Sequence, residues 1–216
     1  MAVRAGALIN AIAAFAVFLW LGTYVTHSGE PALFAGWERA MLDRSTLIAW
    51  WLTWSCYVYV LVPLACALLV IAWRAPAWRG RILFSLVVLI CCWQGADFFQ
   101  HVFARPRRLD WVVRHETAFS YPSSHAAIAL GFYGLWAALI ARSDLPLRVR
   151  TLVPWALVAL AIGTCWSRLA LGAHYLTDVV GGALLACAIL SAALAVLPTK
   201  VLAGAAGSGD GTDDLR

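Results

Sequence analysis

Charge is what this 216-residue chain has least of. Only 12% of its residues are Asp, Glu, Lys or Arg, about half the share of an ordinary soluble domain, while 63% are hydrophobic. A water-soluble globular domain is excluded on that ground. CxxC pairs are also missing. The six cysteines (Cys56, Cys66, Cys91, Cys92, Cys165, Cys187) sit in apolar stretches with no histidine alternating, so they read as small buried hydrophobes and supply no metal site. The acidic stretch GDGTDD near the C-terminus is too short for a calcium loop. The formal charge is +5, but the positives are scattered through short segments between apolar runs, which argues against a nucleic-acid partner. No long internal repeat is visible, so a transporter built from inverted halves is disfavoured.

Long apolar runs are what the chain has instead. Six are close to the roughly 20 residues that a bilayer crossing needs: 6–25, 47–73, 82–104, 123–141, 151–166 and 174–197. The first is longer than the apolar core of a cleaved signal and reads as a retained span. The expected fold is therefore all-α, a polytopic bundle of six transmembrane helices forming one unit over 1–198, with a disordered tail over 199–216. Residues 32–42 read as a helix lying on the interface through Leu33, Phe34, Trp37 and Met41. Pro63 is expected to kink the second span, and Arg74, Arg79 and Arg81 to fill the loop after it. Gly131, Gly134, Gly181, Gly182 and Ala186 suggest close helix packing. Asp97 should face protein or water, because a charge at mid-membrane costs about 3 kcal/mol.

Basic residues set the orientation. Arg4, the Arg74–Arg81 segment, the Arg142–Arg150 segment and Lys200 fall on one side, read as cytoplasmic, which places both termini inside. Arg105, Arg107, Arg108 and Arg114 break the rule on the other side, and a bound anion is the natural account of them.

Three polar patches share that outer side: QHVFARPRR (100–108), YPSSH (121–125) and SRLALGAHYLTD (167–178). In the third, His174 and Asp178 stand four apart, so a helix would let the carboxylate hold one imidazole nitrogen and leave the other basic. Arg168 could fork onto a phosphate across the turn. The bland reading, a satisfied histidine capping a membrane helix beside a snorkelling arginine, remains open on these residues alone. In the second patch, Pro122, Ser123 and Ser124 before an alanine-rich run read as a helix N-terminus, a ready anion site with His125 in its first turn.

Taken together, these patches resemble the phosphatidic acid phosphatase type 2 superfamily, which also includes vanadium haloperoxidases and glucose-6-phosphatase. The family pattern is Lys, six residues, Arg-Pro; Pro-Ser-Gly-His; and Ser-Arg, five residues, His, three residues, Asp. The third part matches in full at Ser167, Arg168, His174 and Asp178. The second matches except for Ser124 in place of glycine. In the first, Gln100 stands for the lysine and Arg108 for the proline after Arg107. The resemblance implies a metal-independent, cofactor-free lipid phosphohydrolase. His174 would be its nucleophile, Asp178 the group orienting it, and His125 the general acid and base. Arg107, Arg168 and Ser123 would hold the phosphoryl oxygens. Ser124 belongs to the same anion site, and Arg108, ahead of Arg105, His101 or His115, would make up for Gln100. Glu116 and Asp97 would position arginines.

The implied partners are the bilayer and a lipid phosphate, in a bacterial inner membrane with the site facing outward. Undecaprenyl diphosphate is the favoured substrate; phosphatidic acid, phosphatidylglycerol phosphate and lipid A are the others. A lipid-to-lipid phosphotransferase and a non-catalytic lipid- or anion-binding membrane protein are the rival functions. Oligomeric state is left open.

Overall fold

The computed structural model describes residues 2–42, 46–108 and 118–196. The tail, and with it Lys200, lies outside them, as do Trp111, Arg114, His115 and Glu116. Apolar runs that must satisfy every backbone group internally become helices, and the described residues are all-helical with six spans of 18–28 residues. They are α1 (Ala2–Ser28); α3 (Thr46–Trp54) with α4 (Val58–Arg74); α5 (Pro76–Phe103); α6 (Ser124–Ile128) continuing through a π-helical turn (Ala129–Tyr133) into α7 (Gly134–Ala141); α8 (Leu147–Ala170); and α9 (Leu176–Val196). The short helix α2 (Ala32–Met41) joins the first span to the second. Leu33 and Trp37 are exposed on it, and Glu38 is buried on its other side.

The fourth span is the shortest and the most buried, so the others surround it. Helix α1 packs along α9, tied at one end by the Asn10 amide donating to Ser191 Oγ at 2.7 Å. Phe18 stacks on Tyr121, whose hydroxyl donates to the Phe18 carbonyl at 2.6 Å. Burial pushes the Tyr121 hydroxyl above its ordinary titration range, so it stays a donor.

Several expectations need correction. The second span, expected as one run, breaks at Ser55–Tyr57, and Pro63 lies within α4. The break exposes the Ser55 carbonyl, which accepts from Tyr133 Oη at 2.7 Å. Arg79 and Arg81 lie within α5, because Pro76 at its first turn starts the helix early. Gly134 has no neighbour that a Cβ would meet, so it is not a packing glycine. Asp97 is on the exposed face of α5 and makes no ion pair among the described residues. It sits roughly 9 Å along the axis from the helix end at Phe103, close to the rim of the span, where its charge costs less than at mid-membrane.

Candidate active site

The third patch is shaped by two helix termini. Helix α8 ends with Gly172 at φ +68°; its N–H donates to the Leu169 carbonyl at 3.0 Å and the Ala173 N–H to the Arg168 carbonyl at 3.0 Å. This is a Schellman ending, and the left-handed conformation it needs favours glycine. It reverses the chain so that His174 comes back beside the turn carrying Arg168. Helix α9 begins two residues later. Asp178, at its third position, reaches back to accept the Tyr175 N–H at 2.9 Å, the acidic half of a capping box. The spacing between arginine, histidine and aspartate is therefore that of a helix end followed by a helix start.

His174 and Asp178 are both fully buried. Asp178 Oδ2 faces His174 Nδ1 at 3.4 Å and also accepts from the Ser120 hydroxyl. Asp178 Oδ1 accepts from Arg105 Nη1 at 2.5 Å. On the other side of the imidazole, Arg107 Nη1 lies 3.1 Å from His174 Nε2. A guanidinium can only donate, so Nε2 is the acceptor and the ring proton is on Nδ1, toward the carboxylate. The nitrogen with the free lone pair is thus the one turned to the arginine.

The second patch is held against the third through its backbone. The Ser123 N–H donates to the Asp178 carbonyl at 3.0 Å, and Ser123 Oγ caps α6 by accepting from the Ala126 N–H at 3.4 Å. Such a close approach requires Gly182, where a Cβ would come within 2.5 Å of the Ser123 carbonyl oxygen. Gln100 donates to the Pro122 carbonyl at 2.9 Å. Ser124 is half-buried at the first helical position. His125 is buried with its ring and that of Tyr57 in a T-shaped contact, centroids 4.9 Å apart, and its Nε2 has no hydrogen-bond partner among the described residues. Arg168, His174 and Arg107 all lie within electrostatic range of it. Arg168 is itself fully buried and donates to Thr53 Oγ1 at 2.7 Å.

The first patch starts in the last turn of α5 and runs past its end. Ala104 takes a left-handed conformation, φ +47°, uncommon for a residue with a Cβ. That turn sends Arg105 inward to Asp178, and the Ser120 N–H closes the segment by donating to the Arg105 carbonyl at 2.9 Å. Arg107 also donates to the Ala118 and Ala173 carbonyls at 2.6 and 3.0 Å. Arg108 is paired with Glu38 at 2.6 Å. Among the arginines, then, Arg107 touches the histidine, while Arg105 and Arg108 are held by carboxylates. His101 is exposed, with Nδ1 2.9 Å from the Asp97 carbonyl.

Sequence reasoning missed Glu30, Glu38, Thr53, Ser120 and Thr177. Arg105 Nη2 pairs with Glu30 at 2.9 Å, and Thr177 Oγ1 donates to Glu30 while accepting from Arg105 at 2.8 Å. The available signal for the two glutamates was the rarity of acid in the chain. Each lies in a segment between spans, opposite a basic cluster that orientation does not explain.

This arrangement can bind an oxyanion among arginines and helix N–H groups, offer it a basic nitrogen, and present a second imidazole beside it. No curated protein matches the chain. A solved structure, that of a transmembrane PAP2 type phosphatidylglycerolphosphate phosphatase from Bacillus subtilis, shares the fold, with a TM-score of 0.65 over 83% of this chain and 92% of that one, at 21% identity. The model of the PAP2 superfamily matches residues 80–202, more than half of the chain and all three patches, so this integral-membrane protein belongs to the PAP2 superfamily of membrane phosphatases.

Proposed function

We propose that the chain hydrolyses a lipid phosphate through a phosphohistidine on His174. The observation that carries this reading is the setting of His174: Asp178 on its Nδ1 side, Arg107 at its Nε2, and the unpartnered Nε2 of buried His125 close by. His174 Nε2 attacks phosphorus, the bond from phosphorus to the ester or anhydride oxygen breaks, and protonated His125 gives that oxygen its proton. Water then attacks phosphorus while His125 takes up a proton from it, the P–N bond breaks, and phosphate leaves. Arg107 and Arg168, with the Ser123 hydroxyl and the N–H groups at the start of α6, hold the oxygens on which charge develops. Asp178 holds the imidazole in its tautomer and stabilises the positive charge it acquires.

The substrate is a lipid phosphate met at the headgroup level, since the site stands at the ends of the spans. The distribution of arginine supports an outward-facing site and cytoplasmic termini. Undecaprenyl diphosphate is the first candidate from resemblance. The similar B. subtilis protein makes phosphatidylglycerol phosphate the second, with phosphatidic acid and lipid A behind it.

The test is phosphate release in detergent from a panel of these lipids, by the wild type and His174→Ala. Release should be blocked by vanadate, survive EDTA, and fall about 10⁴-fold or more in the variant. Undiminished turnover by the variant would remove the nucleophile, and loss on chelation restored by zinc or magnesium would remove the metal-independent route.

A further inference from the structure

Resting on that reading of His174, we propose that Glu30, on the segment between the first and second spans, is a positioning residue that keeps Asp178 an effective anionic partner of the nucleophile. Four groups stand in line: the Glu30 carboxylate, the Arg105 guanidinium, the Asp178 carboxylate and the His174 imidazole. The contacts along it are 2.9, 2.5 and 3.4 Å. The first three are almost wholly enclosed, with 7%, 3% and 0% of their side chains exposed, so their interactions are poorly screened.

Arg105 is shared. One guanidinium nitrogen faces each carboxylate, and Thr177 bridges them by accepting from Arg105 and donating to Glu30. The Thr177 N–H also donates to Glu30, at 3.3 Å, which ties the carboxylate to the first turn of α9. If Glu30 were absent, the whole positive charge of Arg105 would fall on Asp178. The aspartate would then stabilise less well the positive charge that His174 gains as its bond to phosphorus forms. Glu30 therefore acts on the rate through two intermediaries and touches no substrate.

Other charged groups stand around these four among the described residues. Glu38 of α2, paired with Arg108, lies close enough to Glu30 to influence it, and the Arg105 and Arg108 guanidinium groups lie over the ring of Tyr175 at 4.1 and 5.4 Å. His174 is faced by Asp178 of α9, Arg107 after α5 and His125 of α6, and its backbone N–H donates to the carbonyl of Arg168, in the last turn of α8, at 3.2 Å.

The experiment compares wild type, Glu30→Gln and His174→Ala in one assay, recording kcat and KM against pH. The acid limb of kcat reports the deprotonated nucleophile. In E30Q turnover should fall about tenfold, the size expected when a group that orients a reacting side chain through another is lost, with KM within about twofold. The acid limb should move to lower pH by about half a unit or more, because His174 then sheds its proton more readily. Turnover within twofold of wild type, or a fall with the limb unmoved, overturns the proposal. If E30Q does not survive purification folded, Glu30→Asp carries the test. Its carboxylate is drawn back from Arg105, so the limb should move the same way by less, and an unmoved limb overturns the proposal. Full activity in H174A would overturn the nucleophile and this inference together, whereas an inactive H174A beside a wild-type-like E30Q overturns this inference alone.

Discussion

The two ends of the bundle give their arginines different partners. At the end holding His174, Arg105 and Arg168 are buried, and carboxylates and hydroxyls meet their nitrogens. At the other end Arg74, Arg79, Arg142, Arg148 and Arg150 are exposed, and Arg81 is buried with its guanidinium 4.8 Å over the Trp78 ring. There Arg79 donates to the Ala72 carbonyl at 3.1 Å, Arg142 to the Ala138 carbonyl at 3.3 Å, and Arg74 lies over Trp73. The same side chain is an interfacial anchor in one place and part of a dry electrostatic site in the other. The difference lies in the acids. The carboxylates that hold Arg105 and Arg108, those of Glu30, Asp178 and Glu38, gather at one end only.

The sharpest break in that comparison is Arg105→Leu. It leaves Asp178 and Glu30 enclosed without their shared cation, and a loss of about 3–5 kcal/mol is expected, read as a fall in the thermal midpoint in detergent together with loss of turnover. Next is Gly182→Ala. The added Cβ meets the Ser123 carbonyl and the Ala126 methyl, so α6 must shift, for about 1–3 kcal/mol and a disproportionate loss of kcat as His125 is displaced.

A smaller effect concerns Glu38, whose titration burial pushes up to about 7 against the pull of the Leu176 N–H and of Arg108. The folded chain then holds this proton more tightly than an unfolded one. The stabilisation is complete below the ordinary carboxylate range near 4.5 and is lost as pH rises through about 7. Comparing midpoints between pH 4.5 and 7, the wild type should lose a few degrees that Glu38→Gln does not. Least of all is Arg142→Gln, an exposed arginine at the opposite end, which should stay within about 0.5 kcal/mol of wild type with unchanged turnover. A large effect there, or a small one at Arg105, would erase the contrast between the ends.

Much of the site could be read in the chain because helix termini are local. Ser123 as a cap, the turn at Gly172 and the step from His174 to Asp178 are set by residues within a few positions of one another, and their spacing carries over directly into contacts. Gln100 was legible only as a substitution; what it touches, the Pro122 carbonyl, lies just ahead of the fourth span. The choice among Arg105, Arg107 and Arg108 was not legible either. Neighbouring residues at the end of a helix point in different directions, and which one meets His174 depends on the left-handed turn at Ala104.

The sequence by itself determined that the chain crosses a membrane, since apolar length and scarcity of charge leave little alternative, and it determined which three patches carry polar chemistry. Tertiary structure decided how those patches are wired. Arg105 goes to Asp178 and Glu30, Arg108 goes to Glu38, and the glycine face of α9 lets α6 approach. Partner choice among buried charges depends on distances of a few ångströms between segments far apart in the chain, and a residue pattern contains no such distance until the helices have packed.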